Sequence, residues 1–278
     1  MKKFSIVMVN YCAYEDALIC VNSIVSTGIA EYQDITIVDN NSPDGSGAAL
    51  AEMFPECKVV LSENNGGYGS GVNLGVVSSE ESEIYIITNP DTDFTSTNLS
   101  IVLNAFDDDK ALGLLGMNLL YPDGSQQYSA RTFYTWFVVL LRRSILGKLP
   151  WFKGCVDQHL MKEMWCLEKF EADWVLGTGF AVRKAAFDSV GGMDEGYFMY
   201  FEDVDLCARL KILGWKVRGT SLVTLIHNHG RDSAKGYFSK MQRIHINSLL
   251  RFNKKFGIPL FKRPTIGNMK LKLNKFNS

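Results

Sequence analysis

Between Phe4 and Thr88 the chain alternates short β-branched runs with helix-like stretches. Phe4–Val9, Ile35–Val38, Lys58–Leu61 and Ile84–Thr88 read as strands, and Glu15–Ser26, Ala48–Phe54 and a segment from about Ser70 read as the helices between them. Strand and helix in turn build βαβ units, and their right-handed crossovers give a parallel sheet. In such sheets ligands bind beyond the carboxyl ends of the strands. Polar clusters stand at three of those ends: Asn10-Tyr11, Asp39-Asn-Asn-Ser-Pro-Asp-Gly45 and Asn89-Pro-Asp-Thr-Asp93.

Downstream the pattern is less regular. Tyr121-Pro-Asp-Gly124 reads as a turn between strands, and residues 131–172 carry clustered aromatics and bases without a clear period. Trp174–Val182 and Leu222–Ile226 have strand character, whereas Asp203–Leu213 places Leu206, Leu210 and Leu213 on one helix face and ends at Gly214. Phe238–Phe256 sets apolar residues at helical spacing among bases. With no internal repeat or low-complexity linker, the expectation is an α/β domain over residues 1–230 and a basic, partly helical extension over 231–278.

A chain of 278 residues with 46% hydrophobic and 21% charged content suits a soluble globular core and excludes a disordered chain or a small disulfide scaffold. The formal net charge of -1 hides an asymmetry: residues 231–278 hold 12 Lys+Arg against the single acid Asp232. A basic tail suggests an anionic membrane surface, with Phe238, Met241, Phe252 and Phe256 as an interfacial stripe, or else a helix packed on the domain with its bases solvated. Nucleic acid is not expected, because no recognition module is present and the acidic body repels a polyanion. No apolar run nears the ~20 residues needed to span a bilayer. The run Thr135–Leu141 is closed by Arg142 and Arg143 and could at most lie in an interface. The N-terminus reads as a first strand, not a signal peptide. Six scattered cysteines without a CxxC pair read as reduced core thiols of a cytoplasmic protein.

Four groups of residues could carry chemistry. Asp91 and Asp93 put two carboxylates on one tight loop, which suits a divalent cation shared with a diphosphate, although such pairs also cap turns. Gly66, Gly67, Gly69 and Gly71 precede a helix, so they allow close backbone approach at an anion-favouring terminus or simply form a flexible turn. Glu202 and Asp203 open a helix behind the apolar run Phe198-Met-Tyr-Phe201; there they serve as caps or, if desolvated, as a carboxylate able to accept a proton. His227 and His229 follow a strand and are structural or ligands to metal or phosphate.

Read together in order, these residues resemble family 2 glycosyltransferases, and within that family the bacterial rhamnosyltransferase type. The resemblance rests on Val9-Asn10-Tyr11, Val38-Asp39-Asn40-Asn41-Ser42, Asn65-x-Gly-Tyr-Gly-x-Gly-x-Asn73, Asn89-Pro-Asp91, Gly177-Thr-Gly179, Gly191-Gly-Met-Asp-Glu195 and Tyr200-Phe-Glu-Asp-Val-Asp-Leu-Cys-Ala-Arg209. It implies a GT-A fold, with a Rossmann-like nucleotide-binding half and an acceptor half around a mixed central sheet. It also implies an inverting transfer from a nucleotide sugar, dependent on Mg2+ or Mn2+, to a glycan acceptor expected to be lipid-linked. On this resemblance Asp39 reads the pyrimidine base with Asn10 and Ser42 nearby, and Asn65, Gly67 and Asn73 frame the nucleotide. Asp93 is the first choice for the metal contact and Asp91 for the ribose or sugar side. Asp203 is the general base with Glu202 beside it, and His227, 24 residues beyond Asp203, is a further metal ligand. The donor implied first is dTDP-L-rhamnose, with UDP-hexoses behind it; a non-catalytic nucleotide-sugar binder is the rival class.

Overall fold

A computed structural model describes residues 1–28, 30–95, 97–228 and 238–277. His229, the Arg231 region and the side chain of Phe238 lie outside the described residues.

The first half runs β1 (Lys2–Asn10), α1 (Tyr14–Ser26), β2 (Ile35–Asp39), α2 (Ser46–Met53), β3 (Lys58–Leu61), α3 (Tyr68–Ser78), β4 (Ser82–Thr88), β5 (Thr92–Asp93), α4 (Leu99–Asp108) and β6 (Leu112–Leu120). It continues through β7 (Gln126–Gln127), β8 (Ala130–Arg131), α5 (Trp136–Arg143), α6 (Pro150–His159), β9 (Lys169–Glu171), β10 (Trp174–Val175), β11 (Phe180–Arg183) and α7 (Lys184–Ser189). Then follow α8 (Glu202–Ile212), β12 (Lys216–His227), α9 (Phe238–Phe256) and α10 (Ile266–Asn277).

The main sheet has the order β3-β2-β1-β4-β11-β6-β12-β5, with β7 on β6 and β9 on β12. β1 to β4 are mutually parallel, as the alternating pattern predicts. β11 lies antiparallel between β4 and β6, which makes the sheet mixed. The strand expected over Trp174–Val182 is broken in two, because Gly179 takes φ +71° and sends β10 to a separate ribbon with β8. Two apolar clusters cover the sheet: Ile6, Met8, Ile37, Ile86 and Phe106 on one face, and Val7, Tyr85, Val182, Phe201 and Leu210 on the other. Strand alternation accounts for Ile6 and Val7 parting to opposite faces.

Helices α9 and α10 join the second cluster. Leu249, Phe252, Phe256 and Met269 are buried there, so the part of the stripe expected at a bilayer is packed against the domain instead. Ion pairs reinforce the seam: Lys255 Nζ reaches Asp194 at 2.8 Å and Asp205 at 2.6 Å, and Arg251 reaches Asp194 at 2.8 Å. The expectation of core thiols holds for Cys20, Cys57 and Cys207, but Cys12, Cys155 and Cys166 are exposed. Among the described residues no helix is long and apolar enough to cross a membrane.

Candidate active site

The carboxyl ends of β1 and β2 bring Asn10 beside Asp39 in register, which follows from their parallel pairing. Asn10 Nδ2 donates to Asp39 Oδ1 at 2.8 Å, and Ser42 donates to Asp39 through its hydroxyl at 2.6 Å and its backbone N–H at 2.9 Å. Three of the predicted nucleotide residues thus form one hydrogen-bonded cluster, in which Asn10 and Asp39 are buried. Its open valence is acceptor in kind, since the buried Oδ1 of Asn10 has no partner among the described residues. A carboxylate with an adjacent amide oxygen suits the N–H edge of a pyrimidine base.

The glycine loop packs against the second half of the molecule. Gly67 has φ +90°, and a Cβ there would lie 2.1 Å from the carbonyl oxygen of Phe198, so the loop closes on the second half of the molecule. Gly71 brings α3 onto β1, where a Cβ would meet Val9 at 2.6 Å. Asn65 accepts from Asn40 and from the Gly67 N–H, both at 3.0 Å. Asn73 spends its amide on Met193 O at 3.0 Å and Glu195 at 2.8 Å, and its carbonyl on the Met193 N–H at 2.8 Å. Gly67 and Asn73 therefore hold the two halves together, a tertiary role that spacing along the chain does not reveal.

At the end of β4 the turn separates the two acids. Asp93 begins the return and accepts from the Thr95 N–H at 2.7 Å and the Thr95 hydroxyl at 2.5 Å. Asp91 faces β12: its Oδ2 lies 3.2 Å from His227 Nε2, and its buried Oδ1 has no hydrogen-bond partner among the described residues. His227 Nδ1 is 2.6 Å from Gln127 Oε1, which fixes the ring and leaves Nε2 toward Asp91. β12 pairs with β5 in a register that sets His227 opposite Thr92, so Asp91 and not Asp93 faces His227, while Asp93 turns onto its own loop.

No group of three or more His, Cys, Asp or Glu with metal-holding geometry occurs among the described residues. Asp91 and His227 nonetheless fit a divalent ion of the kind that keeps waters and shares its shell between one or two protein ligands and substrate phosphates. The orphaned buried carboxylate oxygen is the observation that supports the fit.

Glu202 and Asp203 open α8 behind Tyr200 and Phe201, both at φ +69°. Two bulky residues in the left-handed region are strained, and strain of that kind concentrates at functional sites. Packing holds the turn: Phe201 lies 5.2 Å from Tyr134 and 5.5 Å from Phe252, and His245 of α9 stacks 4.8 Å from Tyr200. Burial pushes the carboxyls of both Glu202 and Asp203 above the ordinary carboxylate range, and for Glu202 the neighbouring Asp203 charge adds to it. The two differ in one respect. Asp203 accepts N–H bonds from Gly177 at 2.9 Å and Val204 at 2.8 Å and feels the Arg131 guanidinium, all of which favour its ionised form. Glu202 Oε2 has no partner among the described residues. Where the pair carries one charge, the backbone donors and Arg131 favour placing it on Asp203.

Tyr68 links this pair to the nucleotide half, donating to Gly177 O at 2.7 Å. Burial first, then Glu202, Asp203 and Asp91, raise its hydroxyl well above the usual phenol value. Sequence reasoning missed Tyr68, Gln127 and Arg131 as site residues. Tyr68 stands inside the Asn65–Asn73 motif and its partner Gly177 inside Gly177-Thr-Gly179; Arg131 lies in the aperiodic segment, which carries no local signal.

The mixed central sheet, with polar clusters at the carboxyl ends of its parallel strands and helices on both faces, is the GT-A fold. The chain belongs to glycosyl transferase family 2, whose model matches residues 5–188. It is 32% identical over 221 residues to the N-acetylglucosaminyl-diphospho-decaprenol L-rhamnosyltransferase of Mycobacterium tuberculosis strain H37Rv, covering 72% of this chain and 69% of that protein. It is 40% identical over 80 residues to the rhamnosyltransferase WbbL of Escherichia coli K12, covering 29% of this chain and 30% of that one. Among solved structures it resembles GalNAc-T7 with UDP, GalNAc and Mn2+, at a TM-score of 0.62 and 14% identity over 100% of this chain and 55% of that one. A mannosyltransferase from Pyrobaculum calidifontis with GDP-Man and Mn2+ aligns at 0.56 and 14% identity over 98% and 68%. The chain is a glycosyltransferase of the rhamnosyltransferase-like branch. Asp203 and His227 lie beyond the residues that the family model matches.

Proposed function

We propose that the chain moves a sugar from a nucleoside diphosphate donor, dTDP-L-rhamnose first, to a hydroxyl of a lipid-linked glycan at the cytoplasmic face of a membrane, with inversion at the anomeric carbon. The observation that carries this reading is the unequal Glu202–Asp203 pair: the Asp203 carboxylate accepts two backbone N–H bonds, whereas the buried Glu202 Oε2 has no partner among the described residues. The names of the mycobacterial and E. coli relatives support the sugar and the lipid-linked acceptor.

In an inverting displacement a base removes the acceptor proton on one face of the sugar while charge grows on the departing diphosphate at the other. Asp203 is that base, and the Gly177 N–H keeps the oxygen aimed. Asp39, Asn10 and Ser42 hold the base of the nucleotide, and the Asn40–Asn65–Gly67 bonds set the loop between them and Tyr68. Mg2+ or Mn2+ held by Asp91 and His227 would supply Lewis-acid stabilisation of the leaving diphosphate. A panel of nucleotide sugars offered with and without each ion, scored by nucleoside diphosphate release in the presence of a lipid-diphosphate glycan, tests the proposal. Release from dTDP-L-rhamnose is the expected outcome; release from a UDP-hexose alone would reassign the donor, and binding without release would reassign the chain to a nucleotide-sugar binder.

A further inference from the structure

Residues 140–151 and 260–262 form an exposed apolar surface that the catalytic site does not use. Trp151 is 85% exposed, Ile145 80%, Phe261 74%, Leu260 64% and Leu140 54%. Backbone and ring contacts hold them in one neighbourhood: Phe137 N–H donates to Leu260 O at 3.0 Å, and the Phe137 ring lies 5.7 Å from Phe261 and 5.8 Å from Phe152. Helix α5, almost wholly apolar over Trp136–Leu141, fully buries only Leu141. Large exposed patches of this kind mark interaction surfaces.

The charges around the patch have one sign. Arg142, Arg143, Lys148, Lys153 and Lys262 flank it, and residues 132–156 contain no Asp or Glu. The first acid beyond, Asp157, is held by Lys162 at 2.6 Å. A two-fold contact between copies of this chain would set the same cations against themselves, since such an interface is self-complementary. A polyanion without apolar character would leave Trp151 and Ile145 in water. Apolar side chains ringed by Lys and Arg, with a tryptophan at the rim, match the headgroup region of an anionic bilayer. The patch also borders the site: Tyr134, just before α5, packs on Phe201, the neighbour of Glu202.

We infer that the surface of Leu140, Ile145, Trp151, Leu260 and Phe261, with its flanking bases, is the membrane-docking face of the protein, and that it delivers the Glu202–Asp203 edge to an acceptor embedded in anionic lipid. The inference rests on the lipid-linked acceptor proposed above. It relocates the membrane contact from the α9 stripe, whose Phe252 and Phe256 are buried, to the surface of α5, α6 and residues 260–262.

The test is co-sedimentation of the full chain with vesicles of phosphatidylglycerol and phosphatidylcholine against phosphatidylcholine alone. The expected result is binding to the anionic vesicles that weakens with salt and falls at least tenfold in Ile145→Glu/Trp151→Glu, whereas Val77→Glu, at an equally exposed apolar position on α3, leaves it unchanged. Lys148→Glu/Lys153→Glu alters only exposed bases, and the same loss is expected there, so misfolding of the first variant would not decide the matter. Binding that ignores both double variants, or a patch-dependent dimer seen by light scattering, overturns the inference. Transfer to a short, water-soluble lipid-diphosphate acceptor separates the two proposals. The variants retain it if only docking is lost, and its absence in the unaltered chain would refute the assigned reaction while leaving the vesicle result standing.

Discussion

Asp203 and Glu202 are adjacent carboxyls in one desolvated turn, and backbone donors distinguish them. Asp203→Asn should lower transfer by about 10²–10⁴-fold, the usual contribution of a positioned base, with nucleoside diphosphate affinity unchanged in a direct binding titration. Arg131 acts on the same carboxylate through charge. In Arg131→Gln the cation is gone and the ionised form of Asp203 is less favoured, so its proton is held to higher pH. Because the base works ionised, the acid limb of the pH–rate profile should move upward in pH, and a limb that stays in place would exclude Arg131 from tuning it. At the other end of the cleft, Asp91→Ala and His227→Ala should each weaken metal-dependent nucleoside diphosphate binding, measured by titrating Mn2+, whereas Asp93→Ala should do so much less. Equal losses at Asp91 and Asp93 would return the metal to both acids.

Helix α9 is the element that joins stability to catalysis. Its His245 stacks on the strained Tyr200, its Ser248 hydroxyl donates to Met199 O at 2.8 Å, and its Lys255 is buried between Asp194 and Asp205. Removing one partner of a buried ion pair costs roughly 3–5 kcal/mol. Lys255→Ala should fall at the low end, near about 3 kcal/mol in chemical denaturation, because Asp194 keeps Arg251 and Asp205 keeps Arg209. Burial alone would raise the Asp194 carboxyl, but hydrogen bonds from Lys255 and Arg251 hold it at about 2. A depressed carboxyl stabilises the fold above its unfolded value and loses that contribution as pH falls toward the folded one. The seam should therefore loosen from about pH 4 down to about 2, seen as a falling melting temperature that Asp194→Asn flattens.

At the scale of the molecule the two halves share one sheet and are further tied by Gly67 against Phe198, Asn73 against Met193 and Glu195, and Tyr68 against Gly177. The C-terminal helices close the second half. Leu249, Phe252, Phe256 and Met269 each contribute roughly 1.5–3 kcal/mol by burial, together comparable to the whole stability of a domain, about 5–15 kcal/mol. A chain ending before α9 should lose cooperative thermal unfolding, and a sharp transition in that truncation would show α9 and α10 to be dispensable.

The parallel arrangement of β1 to β4 and the polar clusters at their ends were legible in the chain, because strand and helix periods are local and a βαβ unit admits one hand. Asp39 with Asn10, and Glu202 with Asp203, were legible for the same reason: each pair is set by neighbouring strand ends or by adjacent positions. What the sequence could not settle depended on contacts between distant segments. The register of β12 on β5 chose Asp91 over Asp93 as the partner of His227. Arg131 came to the site through the β8–β10 ribbon, from a segment without a period. The amphipathic pattern of α9 showed that one face would be covered, but periodicity is indifferent to whether a protein core or a lipid headgroup covers it. Only the folded second half, which offers Phe201, Asp194 and Asp205 to that face, decided for the core and left the apolar surface around Trp151 uncovered.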